Sequence, residues 1–140
     1  RAYVAVRAAE TFNACGLHDE ARAVVQNALA ADWDDKLVRA YRKSAAPEGT
    51  PTLLAQIDRC EFWSVERPND AELALTLGTF CLKQKLWGKA QRHLEQALSD
   101  AIEPATMREA HLKLAQLHEG LEQPEQAANH YRQCALASVL

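Results

Sequence analysis

A chain of 140 residues with a formal net charge of −3, from sixteen basic and nineteen acidic side chains, lacks the electrostatic excess by which nucleic-acid modules hold phosphate. No apolar run approaches the roughly 20 residues that a bilayer crossing requires, and the start carries no secretory pattern. Glycine and proline number five each while alanine and leucine dominate, which is helix chemistry; the length suffices to bury about two thirds of the unfolded surface in one domain.

Residues 2–15 read as a helix with Tyr3, Val4, Val6 and Phe12 as its larger apolar groups, closed by Gly16 as a C-terminal cap. Residues 18–31 form its partner. Asp32, Asp34 and Asp35 can accept the orphan N–H groups of a helix over 34–45, which Pro47-Glu48-Gly49 then stops. Thr50 caps the next helix and Pro51 fills its first position, and the pattern continues to about residue 65. Asn69 and Asp70 cap a helix that breaks at Gln84 and Lys85, and residues 87–98 form its partner. Glu103-Pro104 opens the seventh helix, whose Met107, Ala110, Leu114, Leu117 and Leu121 alternate by three and four, and Gln123-Pro124 opens the eighth. The spacing predicts an all-α chain of eight helices in about four hairpins.

Within this series, pattern and helix geometry agree most closely over residues 68–98. Leu73, Leu77, Phe80 and Cys81 make one apolar stripe; Trp87, Ala90, Leu94 and Ala97 make another. Gly78 lies inside a helix, where glycine costs roughly 1 kcal/mol relative to alanine. It is expected to answer a close approach, with Ala90 as the matching small residue on the partner helix. The same small-large-small column recurs as Ala21-Val25-Ala28 and as Ala127-Tyr131-Cys134, while Ala9, Gly78 and Ala115 occupy the close-contact column of the first helices. Ala21 and Ala90 are 69 residues apart, two repeats of about 34, so a degenerate unit must lie between, with Ser44 in the place of Gly78 and Trp63 in that of Ala97. Trp63 and Trp87 join the small residues as repeat-packing positions. This is the pattern of the tetratricopeptide repeat: a single TPR-like domain over 1–140, an α-solenoid coiling as a right-handed superhelix, with approximate repeats 2–36, 37–70 (degenerate), 71–104 and 105–140.

In such a stack the inner surface is lined by the first helix of each pair. The register assigns to this partner-binding groove Tyr3, Val6, Glu10 and Asn13 from the first unit and Val38 and Tyr41 from the second. The third unit gives Leu75, Thr79, Leu82 and Lys83, and the fourth Glu109, Leu112 and Gln116. The groove is expected to be mixed apolar and polar, without a basic stripe and without the basic and amide set that grips a terminal carboxylate in chaperone-tail-binding domains. His111 and His118 stand two turns apart on one predicted helix face and are the candidates for a haem ligand; His93 and His130 take equivalent places on second helices, read as an outward, solvated column. Surface or packing roles are the competing reading for every histidine, since no C-x-x-C-H motif or apolar slot signature appears. Cys15, Cys60, Cys81 and Cys134 show no metal-ligand spacing, so no metal site is expected, and structural thiols favour a reducing compartment. There is no Gly-rich phosphate loop, G-x-S-x-G or H-E-x-x-H, and Glu61, Glu66, Glu72 and Glu95 fall on faces read as solvated. The reading is that of a non-enzyme.

The stretch Pro68-Asn-Asp-Ala-Glu-Leu, then Leu77-Gly78, Cys81-Leu82 and Leu86-Trp87-Gly88-Lys89-Ala90-Gln91, followed by Leu94-Glu95 and Leu98, resembles the C-terminal tetratricopeptide region of the HemY family. Trp63 ahead of Pro68 fits the same arrangement, while Ser64-Val65-Glu66-Arg67 departs from it. The resemblance covers about 34–136. It implies a scaffold tethered to the bacterial inner membrane by segments preceding Arg1, with this domain on the cytosolic side and haem-pathway enzymes as protein partners. Two alternatives stand beside it. One is a haem or porphyrin carrier, with Tyr41, Leu82 and His111 or His118 at a slot. The other is a homo-oligomeric self-association module, favoured by exposed apolar residues such as Val139 and Leu140. Neither nucleic acid nor a membrane surface is a partner for this chain itself.

Overall fold

The computed structural model describes residues 1–138, and the regular elements among them are eight α-helices: α1 (Ala2–Ala14), α2 (His18–Ala31), α3 (Asp35–Lys43), α4 (Pro51–Glu66), α5 (Ala71–Lys83), α6 (Trp87–Asp100), α7 (Pro104–Gly120) and α8 (Pro124–Ala137). Val139 and Leu140 lie outside the described residues. The chain divides into two compact units, 1–46 and 47–140, and the division falls inside the stretch 37–70 expected as the second repeat.

In the first unit α1 and α2 form a hairpin and α3 packs on both. The helix starts where Asp34 accepts a hydrogen bond from the Lys36 N–H at 2.7 Å, and Arg42 and Lys43 in its last turn oppose the negative end of the dipole. Its buried residues Leu37, Val38 and Tyr41 meet a core of Ala5, Ala9, Ala21, Val25 and Leu29. The Tyr41 hydroxyl, carried into this core, donates to Gln26 Oε1 at 2.9 Å, which satisfies a polar tip that burial would otherwise make costly.

The second unit is built on the hairpins α5/α6 and α7/α8, with α7 packed against both α5 and α6, and α4 laid on α5. Its helices begin as the sequence reading expects: Thr50 Oγ1 accepts from Leu53 N–H at 3.2 Å with Pro51 in the first turn, and Asp70 Oδ1 accepts from Leu73 N–H at 3.0 Å. Because three helices surround it, α5 buries Leu73, Leu75, Leu77, Phe80 and Cys81, more than one face of a helix. Each fully buried leucine contributes about 2 kcal/mol by removal from water, so α5 is the element on which this unit most depends.

One turn recurs in the hairpins α1/α2, α5/α6 and α7/α8. At Cys15-Gly16-Leu17, Gln84-Lys85-Leu86 and Leu121-Glu122-Gln123 the middle residue is left-handed, with φ of 78° at Gly16, 62° at Lys85 and 58° at Glu122. The N–H of the third residue reaches the carbonyl five back: Leu17 to Phe12 at 2.8 Å, Leu86 to Cys81 at 2.9 Å and Gln123 to His118 at 2.8 Å. The middle N–H reaches the carbonyl three back, from Gly16 to Asn13, Lys85 to Leu82 and Glu122 to Glu119. That pair of bonds is the Schellman closure of a helix C-terminus. Only the first copy uses glycine, so the repetition was visible at Gly16 and hidden at Lys85 and Glu122.

The close approaches differ in partner from the expectation. A Cβ added to Gly78 would meet Leu94, at 2.7 Å from Cδ2 and from Cγ and 3.1 Å from its backbone nitrogen, so the residue nested against Gly78 is Leu94, one turn beyond Ala90. A second such contact joins successive hairpins: a Cβ on Gly120 would stand 2.6 Å from Cη2 of the Trp87 indole. Of the positions expected to pack repeats, Ala9, Ala21, Ala90, Ala115, Ala127 and Trp63 are buried, while Trp87 is half-buried.

Candidate functional site

The site is in the first unit. The facing sides of α1 and α3 leave a cleft of about 180 Å³. Val6, Ala9 and Ala40 give it an apolar lining, and Glu10, Asn13, Lys36, Arg39, Lys43 and Ser44 the polar remainder. From α1, Val6, Glu10 and Asn13 follow at intervals of four and three residues, which places them along one side of the helix. From α3, Lys36, Arg39 and Lys43 follow at three and four residues and do the same. The Asn13 amide is held by His18, whose Nδ1 lies 2.9 Å from Asn13 Oδ1. Glu10 leans along its own helix toward Arg7, Nε to Oε1 3.9 Å, with both groups well exposed.

Val6, Glu10 and Asn13 were expected at a groove and line this cleft. Tyr3, assigned with them, is exposed one turn away, its hydroxyl accepting from Arg7 Nη1 at 2.8 Å. Val38 and Tyr41 are corrected: each is 1% exposed, because α3 lies on α1 and α2 together and those side chains point into the core rather than to a surface. The same holds for Leu75, at 0% exposed on the enclosed helix α5. Thr79, Leu82, Glu109 and Leu112 are half-buried and Lys83 and Gln116 exposed on α5 and α7; Thr79 turns its hydroxyl back to the Leu75 carbonyl at 2.7 Å.

The sequence reading found no basic stripe, and here the structure overturns it. The α3 sequence DKLVRAYRK holds four cations and one carboxylate in a chain whose net charge is −3. The signal was the spacing of Lys36, Arg39 and Lys43, masked because charge was summed over the whole chain.

The histidines also fall differently. His130 is half-buried between α7 and α8, with His111 Nδ1 3.0 Å from its own Nδ1 and the His118 ring stacked on it at 5.4 Å between centroids. His118 Nδ1 is engaged by Gln123 Oε1 at 2.6 Å. The outward column expected of His93 and His130 is therefore corrected to a half-buried pair of positions. His93 Nε2 is buried without a hydrogen-bond partner among the described residues. Burial holds the His111 imidazole below the ordinary histidine value. It does so at His130 as well, where His111 and His118 add repulsion that Glu95 partly opposes. The two proposed haem ligands thus serve an imidazole cluster at a helix interface. No group of three or more His, Cys, Asp or Glu among the described residues is arranged to hold a metal ion.

Three further residues change role. Glu72, read as solvated, is 6% exposed and accepts the Thr106 hydroxyl at 2.8 Å, tying α5 to α7. Glu61 pairs with Lys89 at 2.9 Å. Tyr131, placed in the core column, is 39% exposed and donates to Glu119, while Cys134 beside it is half-buried.

Fold and turn together define the class: an all-α, TPR-like helical-repeat protein. No protein-family model and no curated protein matches the chain. Among solved structures it is similar to one titled MamA MSR-1 C2, with a TM-score of 0.59 and 13% identity over 99% of this chain and 77% of that one. At that identity the likeness speaks for the fold alone and carries no support for the HemY family. No helix among the described residues is long and apolar enough to cross a membrane.

Proposed function

We propose that the chain is a non-catalytic protein-interaction module that holds an extended peptide segment of a partner in the α1/α3 cleft. The observation that carries this reading is the cleft itself, with an apolar lining and a polar remainder supplied by two packed helices. Rigid helices keep both walls in place before a ligand arrives, which lowers the ordering cost of binding. The TPR-like fold supports the same reading, since stacked helical repeats present extended binding surfaces. Selection of binders from a random peptide library, followed by NMR mapping on the labelled chain, tests it. Bound peptides should shift the amides of Val6, Asn13 and Ala40, and Ala40→Trp, which fills the cleft with an indole, should abolish binding. Binders that perturb neither α1 nor α3 would refute this site.

The finer placement, in a membrane-tethered scaffold for haem-pathway enzymes, is supported by the residue runs from Pro68 to Leu98 that resemble the HemY family. Its test is co-purification of such an enzyme from a membrane extract, lost with Ala40→Trp.

A further inference from the structure

Resting on that reading of the cleft, we infer that the segment it takes is acidic: an extended stretch whose Asp or Glu side chains lie against Lys36, Arg39 and Lys43 while a small aliphatic side chain between them seats on Val6, Ala9 and Ala40. Three cations face one carboxylate, Glu10, across this cleft. Lys36 and Lys43 are exposed, and neither pairs with a carboxylate among the described residues. These two exposed lysines stand against the net charge of −3 of the whole, which singles out the α3 face as a place where an anion is drawn in.

Geometry narrows the ligand further. Lys36, Arg39 and Lys43 climb α3 at three and four residues, about 5 to 6 Å per helical turn, and an extended chain repeats its same-side carboxylates about every 6.5 to 7 Å. A segment laid along the cleft can therefore meet two of the three cations with alternate side chains and present the intervening one to the apolar lining. The Asn13 amide, fixed through His18, stands on the opposite wall with a donor group for a peptide carbonyl. Glu10 works against such a ligand, and this gives the assignment its sharpest test.

The probe is a fluorescein-labelled Glu-Glu-Val-Glu-Glu peptide, acetylated and amidated so that side-chain carboxylates alone carry its charge, titrated with the full chain by fluorescence anisotropy at 50 and 200 mM salt. Each of Lys36→Gln and Lys43→Gln should weaken binding about threefold, the size of one exposed ion pair, and K36E/K43E should abolish it. Higher salt should weaken binding, and Glu10→Gln should tighten it about twofold to threefold. A purely structural role for these exposed side chains moves none of these readouts, and circular dichroism confirms that each variant is folded. Equal binding of the Gln-Gln-Val-Gln-Gln peptide, or retention by K36E/K43E, would overturn the assignment. So would equal binding of a pentathymidylate, which would make the face a general polyanion surface. If library selection yields cleft binders of no particular charge, the peptide-holding reading stands and this one fails; if it yields no cleft binders, both fail.

Discussion

Gly78→Ala sets two known effects against each other at one atom. Alanine is favoured over glycine inside a helix by about 1 kcal/mol, so at an open position the change stabilises. At Gly78 the new methyl would stand 2.7 Å from Leu94 Cδ2 and Cγ, about 1 Å inside the ordinary carbon–carbon separation. Rotating Leu94 does not relieve this, because the backbone nitrogen of the same residue is 3.1 Å away and Leu94 itself is fully buried. Helix α6 must move off α5 by several tenths of an ångström along the most extensive helix pair in the unit. Overpacking of this kind costs about 1–3 kcal/mol, and the contact with backbone as well as side chain places this site toward the upper end, so the net is a destabilisation of up to about 2 kcal/mol. Gly88, near the start of α6, has nothing within 4 Å of an added Cβ and is the control: Gly88→Ala should leave stability unchanged or raise it by a few tenths of a kcal/mol. Urea unfolding followed by circular dichroism at 222 nm measures both. A Gly78→Ala midpoint at or above that of the parent chain would refute the claim that α5 and α6 are in backbone contact here.

Glu122→Gly should stabilise the chain by up to about 1 kcal/mol and so raise the urea midpoint, because an exposed non-glycine residue at φ 58° carries left-handed strain that glycine removes; a lowered midpoint would count against the recurring turn. Among the thiols, Cys15 is exposed, whereas burial pushes the Cys60 thiol far up and Cys81 to about 11. In the folded chain an aromatic disulfide reagent at pH 8 should label Cys15 promptly and Cys60 and Cys81 only at the rate of opening, and mass spectrometry showing Cys60 labelled first would contradict that packing. The imidazole cluster should make the chain acid-sensitive. His111 and His130 are held below their unfolded value of about 6.5, so the unfolded chain binds more protons, and stability that is full above pH 6.5 declines as pH falls below it. The urea midpoint should therefore drop between pH 7.5 and 5.5, and His130→Gln should flatten that slope; an unchanged slope in the variant would remove His130 from the account.

Much of this molecule is written locally. Asp34, Thr50 and Asp70 begin helices because a side-chain oxygen can reach an N–H two or three residues on, and Gly16 and Pro51 act on their own backbone. None of these effects needs a distant partner. The close-contact column is legible for a related reason, since small residues recur where two helices must approach, and Gly78 and Ala115 are both buried. What a helix does around its circumference is another matter. Side chains step by about 100° per residue, so whether Leu75 or Tyr41 faces a groove or a core depends on how many neighbours pack on that helix. Helices α4, α6 and α7 pack on α5, and α1 and α2 pack on α3, and no one-dimensional stripe records that. The partner of Gly78, the Trp87 indole over Gly120, the meeting of His111, His118 and His130, and the cleft in which Lys36, Arg39 and Lys43 face Val6 and Asn13 were decided by helix rotation and crossing. Those are set by long-range packing, in which each side chain answers to residues far away in the sequence.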